Sequence, residues 1–193
     1  GGDFAFDLRL ATDRAPVLQG EAGFSLKSER GQASYYFTQP FFTAEGVLEI
    51  DGEEIAVTGN AWMDREFSSQ PLDETQIGWD WFALRLGPET AVMAYRLRTR
   101  DGVDYMTGNW VENGVSTVIP PEALSLTPTG WTEIGERRVP TSWRVEVPGR
   151  GLALDVTPVN AESWMGTSFP YWEGPIRFTG THAGVGYLEM TGY

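Results

Sequence analysis

The sequence predicts an all-β protein built from antiparallel, barrel-forming strands, on three observations. Apolar and polar residues alternate with a period of two. Asp-Gly pairs sit between neighbouring apolar runs. Twenty-three glycines and twelve prolines interrupt the chain too often for helices of useful length. Many short strands joined by tight turns fold as a sandwich or an up-and-down barrel.

Each element can be read in chain order. Phe4, Phe6, Leu8 and Leu10 alternate with Ala5, Asp7 and Arg9. Val47 to Ile50 and Ile55 to Thr58 flank Asp51-Gly52-Glu53-Glu54, the pattern of a hairpin with a tight turn. Gly59 to Ser69 is a strand-like run, and Gly78-Trp79-Asp80-Trp81-Phe82 begins another after a polar stretch, Ser68 to Gln76. Ala91 to Arg98 and Val103 to Val111 flank Asp101-Gly102 as a second hairpin. Later strands are expected at Ser142 to Val147, Gly151 to Val156, Ile176 to Gly180 and Val185 to Thr191. The best helix candidate, Pro121-Glu122-Ala123-Leu124, is a single turn.

Composition narrows the function classes. A net charge of −13 argues against nucleic acid and against anionic membrane surfaces as partners. No apolar run approaches the roughly 20 residues of a membrane helix, so no transmembrane segment is expected. Without cysteine there are no disulfides, thiolate nucleophiles or cysteine-based zinc sites. The single histidine, His182, lies in the turn-like Gly180-Thr181-His182-Ala183-Gly184, and one histidine cannot supply the common zinc ligand sets. No Gly-x-Ser-x-Gly elbow, phosphate loop or dinucleotide fingerprint occurs. No cofactor and no metal are therefore expected.

Carboxylate chemistry remains. Side chains alternate along a strand, so Trp62, Asp64 and Glu66 share one face, and Ala61, Met63, Arg65 and Phe67 the other. Two acids and an indole on one face form either a solvated surface or a site where carboxyl pKa values are raised. In the second case Asp64 could act as general acid with Glu66 assisting. Asp80 falls on the face opposite Trp79 and Trp81, beside Phe82 and Leu84, and is expected to pair with Arg85, Arg96 or Arg98.

Long motifs then point to a family. Ala61-Trp62-Met63-Asp64-Arg65-Glu66-Phe67-Ser68-Ser69, Gly78-Trp79-Asp80-Trp81-Phe82-Ala83-Leu84, Tyr171-Trp172-Glu173-Gly174 and Gly186 to Tyr193 resemble the AttH-like family, which includes the carotenoid 1,2-hydratases. The resemblance implies two packed lipocalin-like β-barrels with a ligand cavity at or near their junction. It implies a partial first barrel at 1–67, a connector at 68–76 and a second, complete barrel at 77–193. It also implies that upstream strands of the first barrel are supplied by another segment or chain. Trp62-Met63-Asp64 matches the Tyr-Leu-Asp motif whose aspartate protonates an alkene in the hydratases, which carries the acid role to Asp64. Tyr35-Tyr36-Phe37 aligns with a His-Tyr-Trp run, and Asp64-Arg65-Glu66-Phe67 with Asp-His-Glu-Trp, so both of those histidines are replaced here.

Three functions fit. The first is an enzyme acting on a hydrophobic isoprenoid or polyketide-like small molecule. Asp64 would be its acid, Glu66 its helper, and Tyr35, Phe37, Trp62, Trp79 and Trp81 an aromatic wall able to stabilise a carbocation. The second is a non-catalytic carrier of an apolar ligand. The third is a glycan-binding β-protein, since tryptophans beside paired acids also suit sugars.

Overall fold

The computed structural model describes residues 4–70 and 72–193, so the expected start of the first unit at Gly1 and Pro71 of the connector lie outside the described residues. In chain order the strands are β1 (Phe4–Ala11), β2 (Val17–Leu18), β3 (Phe24–Leu26), β4 (Ala33–Ile50), β5 (Glu53–Phe67), β6 (Gln76–Arg85), β7 (Thr90–Thr99) and β8 (Tyr105–Glu112). They continue as β9 (Val115–Ile119), β10 (Ser125–Ile134), β11 (Arg137–Val147), β12 (Leu152–Pro158), β13 (Trp164–Met165), β14 (Tyr171–Gly180) and β15 (Gly184–Met190). The fold is all-β and every ladder is antiparallel. Among the described residues the only helical pieces are two 3-10 turns, Pro121–Ala123 and Pro148–Arg150.

Two sheets divide the chain. The larger has ten strands in the order β10-β11-β12-β14-β15-β6-β7-β8-β9, with β13 paired to β14. Its inward side chains meet in one core that draws on strands from the whole path: Phe82, Trp110, Val139, Trp143, Trp172 and Leu188 among them. Phe82 of β6 meets Trp143 of β11 edge-on, with ring centroids 5.3 Å apart, although several strands separate them in the sheet. Such contact requires the sheet to curl round its own core, as right-handed strand twist allows. The end strands β9 and β10 follow one another in the chain through the turn at Pro121–Ala123, and Ile119, Leu124 and Leu126 from that junction enter the same core.

The smaller sheet contains β1 to β5, all built on the long hairpin of β4 and β5. Asp51 and Gly52 both adopt positive φ at its tip, which is the backbone a two-residue hairpin turn needs. The sequence suggested separate runs where the structure has single long strands, because Gly46 and Gly59 stay inside the ladder.

Only one end of this hairpin packs on the larger sheet. Val17 and Phe41 meet Ala91 and Val111, while Tyr36 meets Met93, Tyr95 and Leu97. Trp62 touches both clusters. The receiving surface is the outer face of β6 and β7, because Phe82, Leu84, Val92 and Ala94 on the alternate positions fill the inner core. Polar ties pin the contact: Tyr95 donates to the Leu26 carbonyl at 2.8 Å and Gln76 to the Lys27 carbonyl at 2.7 Å.

Candidate functional site

The β4–β5 register decides which side chains enter the space between the sheets. Thr38 pairs with Asp64 and Tyr36 with Glu66, and residues opposite one another in a ladder share a face. Tyr36 and Thr38 therefore point the same way as Asp64 and Glu66, while Tyr35 and Phe37 oppose Phe67 and Arg65 on the other face. Tyr35 is 70% exposed and Tyr36 only 3%. The aromatic expected from Tyr35 and Phe37 is thus supplied by Tyr36, one position away, a correction that follows from strand parity.

Asp64 lies between two cavities. One, of about 440 Å³, is lined by Trp62, Trp81, Ala83, Arg85, Val185 and Tyr187 among others, with Asp64 and Glu189. The second, of about 420 Å³, takes Lys27, Tyr36, Glu66, Trp79 and Tyr95, again with Asp64 and Glu189. Asp64, Trp81 and Glu189 line both.

Both oxygens of Asp64 are engaged. Trp62 Nε1 donates to Oδ2 at 2.7 Å, and Thr38 Oγ1 bonds to Oδ1. Tyr36 accepts from Trp81 Nε1 at 3.0 Å, which leaves its hydroxyl hydrogen free for Asp64. Burial nevertheless raises the carboxyl above its ordinary value, outweighing these bonds, and the nearby Glu66 charge adds to the rise. An indole N–H can only donate, whereas a hydroxyl can also accept. A proton on Asp64 therefore belongs on Oδ1, with Thr38 turned to receive it.

Glu66 is occupied differently from the helper role expected of it. Lys27 Nζ lies 2.7 Å away, and Ser34 Oγ donates to the same carboxylate oxygen at 2.5 Å. Lys27, whose side chain is 9% exposed, sits over the rings of Tyr36 and Tyr95 at 4.9 and 4.3 Å. Burial lowers its pKa against the pull of Glu66. Glu189, the other carboxyl lining both cavities, is also raised by burial and accepts from Trp79 Nε1 at 2.7 Å.

The aromatic wall divides between the two spaces. Trp62 and Trp81 meet edge to face at 6.4 Å in the first cavity. Trp79, which lines the second, stacks on Phe169 at 5.7 Å. Asp80 is fully buried on the opposite face of β6, with Arg96 Nη2 at 2.8 Å and the Tyr193 hydroxyl at 2.6 Å. Arg98 reaches it at 3.5 Å, and Arg85 is not among its partners. His182 lies beyond the end of β14, bonded to Thr181, away from both cavities. Among the described residues no cluster of carboxylates and histidine has metal-binding form, and no helix is long and apolar enough to cross a membrane.

Sequence reasoning missed Tyr36, Thr38, Lys27, Glu189 and Arg85. Even-numbered polar positions Ser34, Tyr36 and Thr38 carried the parity signal for the first two. Lys27 and Glu189 reach the site only through long-range packing, which spacing along the chain does not encode.

Comparison with known proteins places this architecture. A family model described as AttH-like matches residues 1–193. A crystal structure described as an AttH of Nitrosomonas europaea superposes with a TM-score of 0.90 at 33% identity, over 99% of this chain and 62% of that one. Kievitone hydratase from Nectria haematococca shares the fold, with a TM-score of 0.81 at 20% identity, over 99% and 62% of the respective chains. The chain thus spans about three fifths of the length of these two structures. No curated protein matches it.

Proposed function

The chain belongs to the AttH-like family, and we propose that it acts on an unsaturated apolar small molecule by acid catalysis, with Asp64 as the proton donor. The observation that supports this most is a carboxyl raised by burial, ordered on both oxygens, and exposed to two apolar-walled cavities at once. In this reading the protonated Asp64 carboxyl turns its proton from Thr38 to one carbon of a double bond. The cation left on the other carbon lies against the faces of Trp62 and Trp81. Water then attacks that carbon and returns a proton to Asp64, giving net hydration. Loss of a neighbouring proton to Asp64 instead gives an isomer, and attack by an internal double bond gives a cyclic cation that loses a proton to Asp64 to leave a ring. None of these outcomes needs an oxidant or a reductant.

Glu189 is the better second carboxyl, since burial favours its neutral form and Lys27 compensates Glu66. The hydratase name carried by the Nectria haematococca structure supports water addition by analogy of fold only. A carrier reading also has an observation behind it: Asp64's bonds from Trp62 and Thr38 would serve equally to seal the sheet junction.

The test incubates the protein with polyenes and terpenoids and follows mass for gain of water, and chromatography for isomers. Asp64→Asn should leave apolar-ligand binding within a few-fold and reduce turnover by about a hundredfold or more, the scale of losing a general acid. Turnover unchanged in Asp64→Asn removes that residue from the mechanism. Ligand binding with no product from any candidate leaves the carrier.

A further inference from the structure

The first cavity contains a cation that the acid chemistry does not use. Arg85, at the end of β6, lines it together with Trp62, Trp81 and Val185. Its Nη1 is closed off from solvent and bonded to nothing, and among the described residues no carboxylate lies within ion-pair distance of it. The obvious partner, Glu89, is already taken. Arg14 approaches both of its carboxylate oxygens, through Nη1 at 2.6 Å and through Nη2. What Arg85 does have is the face of Phe41, 5.4 Å from its guanidinium carbon, with Arg14 over the same ring at 4.7 Å. An unpaired guanidinium is the more telling in a chain of net charge −13, where acids outnumber bases by 27 to 14. The accessible part of a guanidinium that lines a cavity with no carboxylate partner leaves N–H donors for a ligand anion to meet.

The cavity is therefore polar at two separate points and aromatic or aliphatic between them. Trp81, Ala83 and Arg85 alternate along one face of β6, so the Cα of Arg85 lies roughly 13 Å along the strand from that of Trp81, which lines the cavity with Asp64. The other cation near the site, Lys27, is compensated by Glu66 and faces the second cavity. Resting on the acid-catalysis reading above, we propose that Arg85 anchors the oxyanion headgroup, carboxylate or phosphate, of an unsaturated amphiphile and so sets which double bond lies beneath Asp64. A planar guanidinium fits either headgroup through paired N–H bonds.

The test uses three probes of equal chain length: laurate, dodecyl phosphate and 1-dodecanol. Binding to the full chain is read by calorimetry and by the change in intrinsic tryptophan fluorescence. At least one anionic probe should bind about tenfold or more tighter than the alcohol, and which of the two does so identifies the headgroup. Arg85→Gln should abolish that preference and leave dodecanol affinity within about twofold, which also reports an intact cavity. Arg85→Lys should retain part of the preference, as a point charge without the planar fork. Equal binding of alcohol and both anions, or a preference that survives Arg85→Gln, overturns the anchor while leaving the apolar site standing. Failure of all three probes to bind overturns both.

Discussion

The two sheets solve opposite problems with the same kind of strand. In the ten-stranded sheet the inward residues Trp143, Trp172, Phe82, Leu84 and Leu188 are fully buried. In the smaller sheet every residue of β1 is exposed, including Phe4, Phe6, Leu8 and Leu10. The larger sheet therefore generates stability from its own core, and the smaller one borrows its order from the few residues that touch β6 and β7. Asp64 sits on the borrowed side. Placed there, its carboxyl faces the space between the sheets, whereas the buried Asp80 of the larger sheet is committed to Arg96 and Arg98.

That contrast can be broken most forcefully in the core. Trp143→Ala should cost about 3–5 kcal/mol by chemical denaturation, since a filled interior collapses poorly around so large a loss. Phe6→Ala on β1 should stay within about 0.5 kcal/mol. Equal costs would mean that the smaller sheet has a core of its own. Next comes the ion cluster beneath β6, where Asp80 holds Arg96 and Arg98. Burial pushes the Asp80 carboxyl up, and the two guanidiniums with Tyr193 hold it back. Asp80→Asn should cost about 3 kcal/mol or more, because Arg96 and Arg98 lose the buried carboxylate they share and Arg96 keeps only Asp104, 3.8 Å away.

At the interface the effects should be smaller. Glu66→Gln leaves the Lys27 ammonium buried with a weakened partner and should cost about 1–3 kcal/mol in a melting experiment. The double replacement Lys27→Met with Glu66→Leu should recover most of that loss, as apolar substitutes for buried ion pairs do. No recovery would show that the pair's position, beyond its charge balance, holds the docked end in place.

The smallest effect is in pH dependence, and its sign is diagnostic. Asp64 and Glu189 have folded-state values raised from ordinary ones of 3.8 and 4.5. Their protonated forms favour the folded state, so this contribution is fully present below those ordinary values. It is lost as pH rises through the raised ones. A carboxylate whose folded-state value is depressed, as that of Asp73 is by its bonds from Thr75, behaves in the opposite sense. Replacing both residues, Asp64→Asn with Glu189→Gln, should therefore leave a variant that gains stability relative to wild type as pH rises from about 4 towards 7, measured as the difference in Tm. A difference that stays flat across that range would mean that neither carboxyl is desolvated.

The periodicity of the sequence carried the strand class, the hairpin at Asp51-Gly52 and the shared face of Trp62, Asp64 and Glu66, because these depend on neighbours along the chain. It carried the need of Asp80 for a cation, since a carboxylate on an apolar strand face demands one, but not the choice of Arg96 and Arg98 over Arg85. It did not carry the choice between Tyr35 and Tyr36, which hangs on a register set by the partner strand. Nor did it carry Glu189 or Arg85. Each becomes part of the site only when β15 and β6 lie side by side, with Glu189 opposite Trp81.

One irregularity in β4 has a consequence for changes in strand length. Gln39 pairs with Met63 but Phe42 with Ala61, so β4 carries one residue more than β5 across that interval. Pro40, which has no N–H to offer the ladder, lies in the interval. Before it, inward residues are even-numbered, as in Tyr36 and Thr38; beyond it Phe41 turns inward instead. The interruption works like punctuation in a reading frame. Residues gained or lost toward the hairpin tip at Asp51 change the frame of the outer arm alone, and Thr38 stays opposite Asp64. The arm can therefore change length without moving Thr38 from its place opposite Asp64.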